Sequence, residues 1–437
     1  MGHLVGKDIY RKLGKKIDNL NMRAPWNDTL FAILKEVYSE VEADVIVKMP
    51  YVLSPLERVS KVTGYQPDRL LTIIDGLCDK GLILDLWVNG EYHYMPSPLV
   101  VGVFEFTMMR TGKDVNSKEL GKLFSHYFGD TKAFAAANFN DDMQVSIMRT
   151  LPHEEAVRQG EYTEILDYEK ASALIESSTK FAIGICSCRH EMLHAGKNAC
   201  DVPLETCSSF GDVADYLIRR NLAKEVSKDE MQNNFARSKE MGLVLNADNV
   251  QRNVAFVCHC CKCCCNLLRG IRLHGYPNCL VTSNFICEID SSTCIGCGKC
   301  AKACPIEAIE MIPAAGGEGK AKKRAKVDSS ICIGCGVCAL QCKSGACSLG
   351  KRGQRVIHPE TSFERVMLQC LERGTLQNQI FDNPQSLSHK FMRGFVGGFL
   401  NLPPVKRALM SDALRSRFLD AMKKGVEKQG KGWLAKI

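Results

Sequence analysis

The chain has 437 residues, of which 45% are hydrophobic and 24% charged, with a net charge of +8. That is a globular composition, and the length predicts about three domains. No apolar run reaches the ~18 residues of a membrane span, and the first residues lack the apolar segment and cleavage site of a signal peptide. Twenty-three cysteines in a chain read as cytoplasmic argue against disulfides and for metal in a reducing compartment, that of an anaerobe.

In chain order, Asn27 or Asp28 caps an expected helix over 29–38. Ser54-Pro55-Leu-Glu57 predicts a helix start with Ser54 as the cap and Pro55 in the first turn, ending near Gly64. Pro67-Asp-Arg69 opens a helix carrying Leu70, Leu71, Ile74 and Leu77 at helical spacing. Two strand patterns, 82–87 and 91–94, flank Asn89-Gly90, a strong hairpin signal. This run of helices and a two-stranded wing resembles a winged-helix domain over residues 1–110. The resemblance invites a DNA-binding hypothesis, but the candidate reading helix carries Asp68, Asp75 and Asp79 against Arg69 and Lys80. Its net charge is −1, the wrong sign for phosphates, so a packing or protein–protein module is the preferred reading.

Residues 97–180 read as mostly helical. Chemistry begins where the strand pattern 181–185 delivers Cys186-Ser-Cys188-Arg189-His190, followed by Cys200 and Cys207. Ser227-Lys-Asp-Glu230 is a capping box for a helix to about Glu240, stopped by Gly242. A second strand pattern, 253–257, ends in Cys258-His-Cys260-Cys261-Lys-Cys263-Cys264-Cys265. Extended as a strand, this run puts Cys258 and Cys260 on one face and Cys261 and Cys263 on the other. Ten candidate metal ligands result. One further [4Fe–4S] cluster shared between the two segments is preferred. Two clusters, a zinc site or a non-cubane cluster are the alternatives. His190, His194 and His259 are weaker ligand candidates, because sulfur-rich sites manage without histidine. Arg189 is expected to offset cluster charge or to pair with a carboxylate. Cys78, Cys347 and Cys370 read as packing residues, while Cys279 and Cys287 are ambiguous.

The strongest signal follows. Cys294-x2-Cys297-x2-Cys300-x3-Cys304-Pro305 returns 38 residues on as Cys332-x2-Cys335-x2-Cys338-x3-Cys342. Soft thiolates at this spacing suit iron–sulfur cubanes. Gly296, Gly298, Gly334 and Gly336 are expected to supply positive φ, and Ile295 and Ile333 to shield the clusters. The stretch resembles the bacterial-type two-[4Fe–4S] ferredoxin family over roughly residues 285–350. It departs from that family in Lys343, where a proline is common, and in a basic insert over 316–326. The resemblance implies interleaved ligation: Cys294, Cys297, Cys300 and Cys342 on one cluster, and Cys332, Cys335, Cys338 and Cys304 on the other. The larger arrangement resembles a loosely described group of ferredoxin-like proteins of anaerobes, for which electron transfer is the implied role. Heterodisulfide reductases also carry paired cysteines, but not at this spacing.

Residues 351–437 are expected to be helical. From Ser386 onwards there are eleven Lys/Arg and three Asp/Glu, and two stretches, 391–400 and 405–422, are apolar or amphipathic. An acidic redox partner or an anionic membrane surface would suit that excess. No G-x-G-x-x-G after a strand, no P-loop and no Ser/His/Asp constellation is visible.

The expected fold is α+β: a helical, winged-helix-like N-terminal domain (1–110), a helical then α/β cysteine-rich domain (111–280), a two-cluster ferredoxin module (281–350) and a helical basic tail (351–437). The expected role is electron transfer, either alone or as the electron-delivering subunit of an anaerobic oxidoreductase complex. The expected place is the cytoplasm or the inner membrane face. The alternatives are a cluster-based redox regulator working through the winged helix, and a reductase whose upstream cluster is catalytic.

Overall fold

A computed structural model describes the chain except residues 1, 131, 142, 161–164, 198–199, 276, 315–322 and 437. Most of the basic insert therefore lies outside the described residues. The fold mixes helices with four separate antiparallel sheets.

The N-terminal elements follow their sequence signals closely. Asn27 accepts the Leu30 N–H at the start of Asp28–Val37. Gly64 ends Leu56–Thr63 at φ 76°, and Pro67–Asp79 follows. Ile83–Val88 and Glu91–Pro96 pair across Asn89 and Gly90, both at positive φ, as a tight hairpin turn requires. One expectation fails. Ser54 is not a helix cap: Ser54–Pro55 forms a short third strand on the hairpin, pairing with Tyr94 and His93, and the Ser54 hydroxyl bonds the Val52 carbonyl instead. Sheet pairing here outcompetes the local capping preference.

The C-terminal half of the acidic helix Pro67–Asp79 is tied to a neighbouring helix. Arg220 bonds Asp75, Asp79 and the buried Asp85, and Arg219 joins it on Asp85. Tyr216 donates to the Ile83 carbonyl. These carboxylates thus pair with two arginines at the end of Gly211–Arg219.

The centre is a six-stranded sheet in the order Met148–Leu151, Val244–Asp248, Phe256–Cys260, Glu205–Phe210, Phe181–Ile185 and Ala223–Glu225. Every pairing is antiparallel, so the α/β character expected for this part is corrected to α+β. The order matters chemically. Glu205–Phe210 lies between the two strands that carry cysteines at their ends, so segments as far apart as Cys186 and Cys258 converge at one end of three neighbouring strands.

The 285–351 region has a 38-residue pseudo-repeat in its backbone. Phe285–Ile289 pairs with Cys347–Lys351, and Ile309–Pro313 pairs with Lys323–Val327. Beyond it, Ser362–Arg373 is buried on most sides, capped by Thr361 and ended by Gly374 at φ 72°. Glu372 accepts from the Gln144 and Val145 amides, and Arg58 bonds Asp382 through both terminal nitrogens. The stretch expected to run from 405 to 422 is two helices, Pro403–Met410 and Asp412–Lys428, because Ser411 is extended.

Candidate iron–sulfur and thiolate centres

Four groups of cysteines are separated by the fold. Two lie in the 285–351 region, around two cavities. One cavity is lined by Cys294, Cys297, Cys300 and Cys342. The other is lined by Cys332, Cys335, Cys338 and Cys304. Each therefore takes three thiols from one run and the fourth from the other. The loops are built as the glycines suggested. Gly334 sits at φ 70°, where a Cβ would lie 2.1 Å from the Phe285 carbonyl oxygen. Gly336 sits at φ 83°, where a Cβ would meet that of Ala156 at 2.7 Å. Only glycine serves at either position.

The two cavities differ in exposure. Cys332, Cys335, Cys338 and Cys304 are all buried, and Ile333 is 3% exposed. At the other cavity Cys297 is exposed, Cys294 and Cys342 are partly so, and Ile295 is 65% exposed. The expected symmetry of the two shielding isoleucines is thus corrected: Ile333 is sealed against the body and Ile295 faces solvent. The buried cavity leans on the body, where the His153 amide bonds the Cys335 carbonyl and the Arg352 guanidinium bonds the Cys332 carbonyl.

Cys287 and Cys347 were missed as neighbours of these cavities. Cys287 lines the buried one and Cys347 the exposed one, and with Cys338 they bring three sulfurs within 4.8 Å of one another. Hydrogen bonds from Cys287 and Cys347 pull the Cys338 thiol down to about 4. The signal was in the repeat: the equivalent positions of the other sheet carry Ala325 and Ile309, both apolar.

The third group rings a cavity of about 120 Å³ at that end of the sheet. It is lined by Cys186, Cys188, Cys207, Cys258, Cys260 and Cys265. The register Ser208↔Val257 sets Cys207 beside Cys258, and these thiols are hydrogen-bonded. Contacts continue from Cys258 to Cys260, from Cys260 to Cys265 and from Cys265 to Cys188. Hydrogen bonds from Cys258 and Cys265 bring the Cys260 thiol down to about 6 despite its burial. Arg189 lines the same cavity and is held by the His259 carbonyl and the Thr206 hydroxyl. Among the described residues no carboxylate pairs with it. Burial opposes its charge, yet Cys186 and Cys261 hold its pKa above the ordinary arginine value. Phe104, Phe128, Phe134 and Phe139 line the same cavity, as do Cys279 and Glu105. Burial pushes the Glu105 carboxyl up to about 7.

The fourth group is Cys200, Cys261, Cys263 and Cys264, whose sulfurs all lie within 4.8 Å of one another. The strand ends at Cys260, so Cys261–Cys264 form a turn before the helix Asn266–His274. The two-faced strand reading holds for Cys258 and Cys260. Cys261 and Cys263 come together through the turn, not through a pleat. The ten upstream candidates therefore divide into six and four. The histidines have other partners: His259, which lines the six-thiol cavity, meets the Ser208 hydroxyl through Nε2 at 2.8 Å, His190 Nδ1 meets the Met108 carbonyl at 2.6 Å, and His194 meets His190. Cys78 and Cys370 are buried in apolar core.

A link joins the upstream groups to the buried cavity. Glu307, three residues after Cys304, pairs with Lys262 at 3.1 Å and Arg272 at 3.4 Å. Lys262 lies between Cys261 and Cys263, so the Cys304 turn is pinned to the upstream cysteine turn.

Comparison with known proteins agrees with this geometry where it reaches. Residues 293–346 match the family model of a 4Fe-4S dicluster domain. No curated protein and no solved structure matches the chain. The 293–346 segment is thus similar to dicluster ferredoxin domains, and the cysteine groups support iron–sulfur cofactors in an electron-transfer role.

Proposed function

We propose that the chain is an electron-transfer protein, acting alone or as the electron-delivering subunit of a larger oxidoreductase. In this reading Cys294, Cys297, Cys300 and Cys342 hold one [4Fe–4S] cluster, and Cys332, Cys335, Cys338 and Cys304 hold the other. A further iron–sulfur centre occupies the ring of Cys186, Cys188, Cys207, Cys258, Cys260 and Cys265. Bound clusters of this kind exchange single electrons. The observation that carries the reading is the pair of cavities with interleaved cysteine walls. Donor chemistry fits as well. Among the described residues, neither ferredoxin set nor the six-thiol ring gathers its own sulfurs as tightly as a single ion requires, whereas a cluster spreads its thiolates over several irons.

The chain's own residues would define a direction. Exposed Cys297 and Ile295 leave one cluster open to a partner protein. Buried Cys332, Cys335, Cys338 and Cys304 insulate the second, and the Glu307 pairs with Lys262 and Arg272 tie its Cys304 turn to the Cys261–Cys264 turn and the helix after it. Loop amides brought close by Gly334 and Gly336 tune the buried site. In this reading the N-terminal unit is a winged-helix-type packing module, since Arg219 and Arg220 engage its acidic helix and strand.

No described helix is long and apolar enough to cross a membrane. The basic C-terminal helices are read as a peripheral contact to an anionic lipid surface at the cytoplasmic face. Between Ser386 and Ser411 there are four cations and no carboxylate.

A second reading is favoured by the phenylalanines that line the six-thiol cavity: a reductase that admits a small apolar substrate there. It predicts oxidation of the dithionite-reduced protein on addition of a small aromatic disulfide, with two electrons and two protons taken up per disulfide cleaved to thiols.

The main reading is tested by iron and sulfide analysis with EPR of the reduced, anaerobically purified protein. The ferredoxin region alone should contribute about eight irons and eight sulfides, and Cys260→Ala should lower iron without touching those two signals. A colourless protein without inorganic sulfide would overturn it.

A further inference from the structure

We propose that Cys200, Cys261, Cys263 and Cys264 form a closed site for one tetrahedral metal ion, zinc, separate from the iron–sulfur centres. The argument is dimensional. A zinc–thiolate bond of ~2.3 Å places the corners of a regular tetrahedron ~3.8 Å apart. The sulfurs of Cys200 and Cys261 are 3.7 Å apart, those of Cys200 and Cys264 3.6 Å, and those of Cys263 and Cys264 3.7 Å. A cubane carries its four thiolates on four different irons, so its ligands surround a cavity, as the other cysteine sets do. These four leave room for a single ion only.

The other tight group, Cys287 with Cys338 and Cys347, has three donors, and two of them, Cys287 and Cys338, line the buried cluster cavity. The donor set of the fourth group is complete and all-sulfur, which suits zinc in a structural role. Cys261-x2-Cys264 has the knuckle spacing of such sites, and the tight turn adds Cys263. Cys200 arrives from the loop after Ser187–His194. That loop is closed at its base by the Cys186 amide on the Leu204 carbonyl. Met192 and Leu243 cover the group, and Cys264 is fully buried. No position is left open for a substrate.

The site has a structural consequence. Cys261 also borders the six-thiol cavity. An ion held by it would clamp Cys200 onto the 261–265 turn and so fix Cys258, Cys260 and Cys265 around their own centre.

The experiment measures zinc, iron and acid-labile sulfide in the full-length protein purified anaerobically, and in Cys264→Ser, Cys200→Ser and Cys260→Ser. One zinc per chain is expected in the parent. Cys264→Ser and Cys200→Ser should lose it and keep the parent amounts of iron and sulfide per chain, while Cys260→Ser should lose iron and sulfide and keep zinc. A Cys264→Ser protein that loses iron and sulfide together, with no zinc in the parent, would overturn the proposal. Should the variants fail to fold, the parent produced in zinc-poor, cobalt-rich medium keeps the test alive. The intense thiolate-to-cobalt and tetrahedral d–d absorptions of an all-sulfur site support the assignment, and their absence overturns it. Because this readout follows zinc or cobalt and not iron, its failure is distinguishable from failure of the electron-transfer reading.

Discussion

The sulfurs of Cys287 and Cys347 lie 3.3 Å apart on neighbouring antiparallel strands, on the wall between the two cluster cavities. Ile289 faces Cys347 and Cys287 faces Leu349 in the register, so the thiols meet on a diagonal. Neither belongs to a C-x2-C-x2-C-x3-C run. As S–H donors toward cluster sulfur they would stabilise the more negative, reduced cluster. Cys347→Ala and Cys287→Ala should therefore keep full iron and sulfide and lower the midpoint potential of the adjoining cluster. Redox titration followed by EPR reads the shift, and loss of about four irons would instead make the residue a ligand.

Interleaving makes a sharper prediction. Cys342 stands in the second run but lines the exposed cavity, and Cys304 stands in the first run but lines the buried one. Cys342→Ala should remove the solvent-exposed cluster and Cys304→Ala the buried one. Each variant should keep about half of the ferredoxin iron. Relaxation enhancement by a soluble paramagnet distinguishes the two survivors. The reverse outcome, each run losing its own cluster, rejects the assignment.

Much of this was legible from residues alone, and the failures have physical causes. The ferredoxin runs, their positive-φ glycines, the Asn89-Gly90 hairpin and the Ser227 capping box are local signals, and local signals survive folding. The division of ten upstream cysteines into six and four is not local. It depends on Glu205–Phe210 settling between two strands distant in sequence, and on a loop carrying Cys200 back to a turn it never neighbours in the chain. Exposure was equally hidden: Ile295 and Ile333 occupy identical motif positions, and only the docking of the second loop onto Ala156 and His153 separates them. Ser54 misled because a bridge to Tyr94, forty residues on, replaces its capping role.

Asp382 offers a test of how the C-terminal helices are held. Its carboxylate is 5% exposed and takes both terminal nitrogens of Arg58, with Lys431 at 3.3 Å. Burial alone would raise its pKa, but Arg58 and Lys431 outweigh it and hold the carboxyl below its usual value. The sign follows: the pair stabilises the fold fully above the unfolded aspartate value of ~4, and the contribution fades as pH falls through the lower folded value. Asp382→Asn should cost about 2 kcal/mol at neutral pH, less than a fully buried pair because both cations reach water. Thermal unfolding should show a deficit that stays constant from about pH 5 upward; a deficit that grows steadily between neutral and alkaline pH would contradict this account.

The proposed lipid contact rests on one helix face. In Leu387–Leu400 the side chains of Leu387, Phe391, Phe395 and Phe399 recur every four residues and are 82%, 72%, 71% and 58% exposed. Gly397, on the opposite side, packs on Gln377, so the aromatic stripe points away from the body. Lys390, next to Phe391 in the chain, is exposed, as is Arg407 on the following helix. A stripe of this kind buries apolar area at a bilayer interface while the cations meet anionic headgroups, and each phenylalanine contributes up to ~2 kcal/mol if fully covered. The full-length protein should co-sediment with phosphatidylglycerol vesicles more strongly than with phosphatidylcholine vesicles, and less so at high salt. Replacing Phe391, Phe395 and Phe399 together by Ser should abolish binding to both vesicle types and leave iron and sulfide content unchanged. Equal sedimentation of parent and variant would reject the stripe as a membrane contact, and retained binding to phosphatidylglycerol alone would assign the attraction to the basic residues without the aromatic ones.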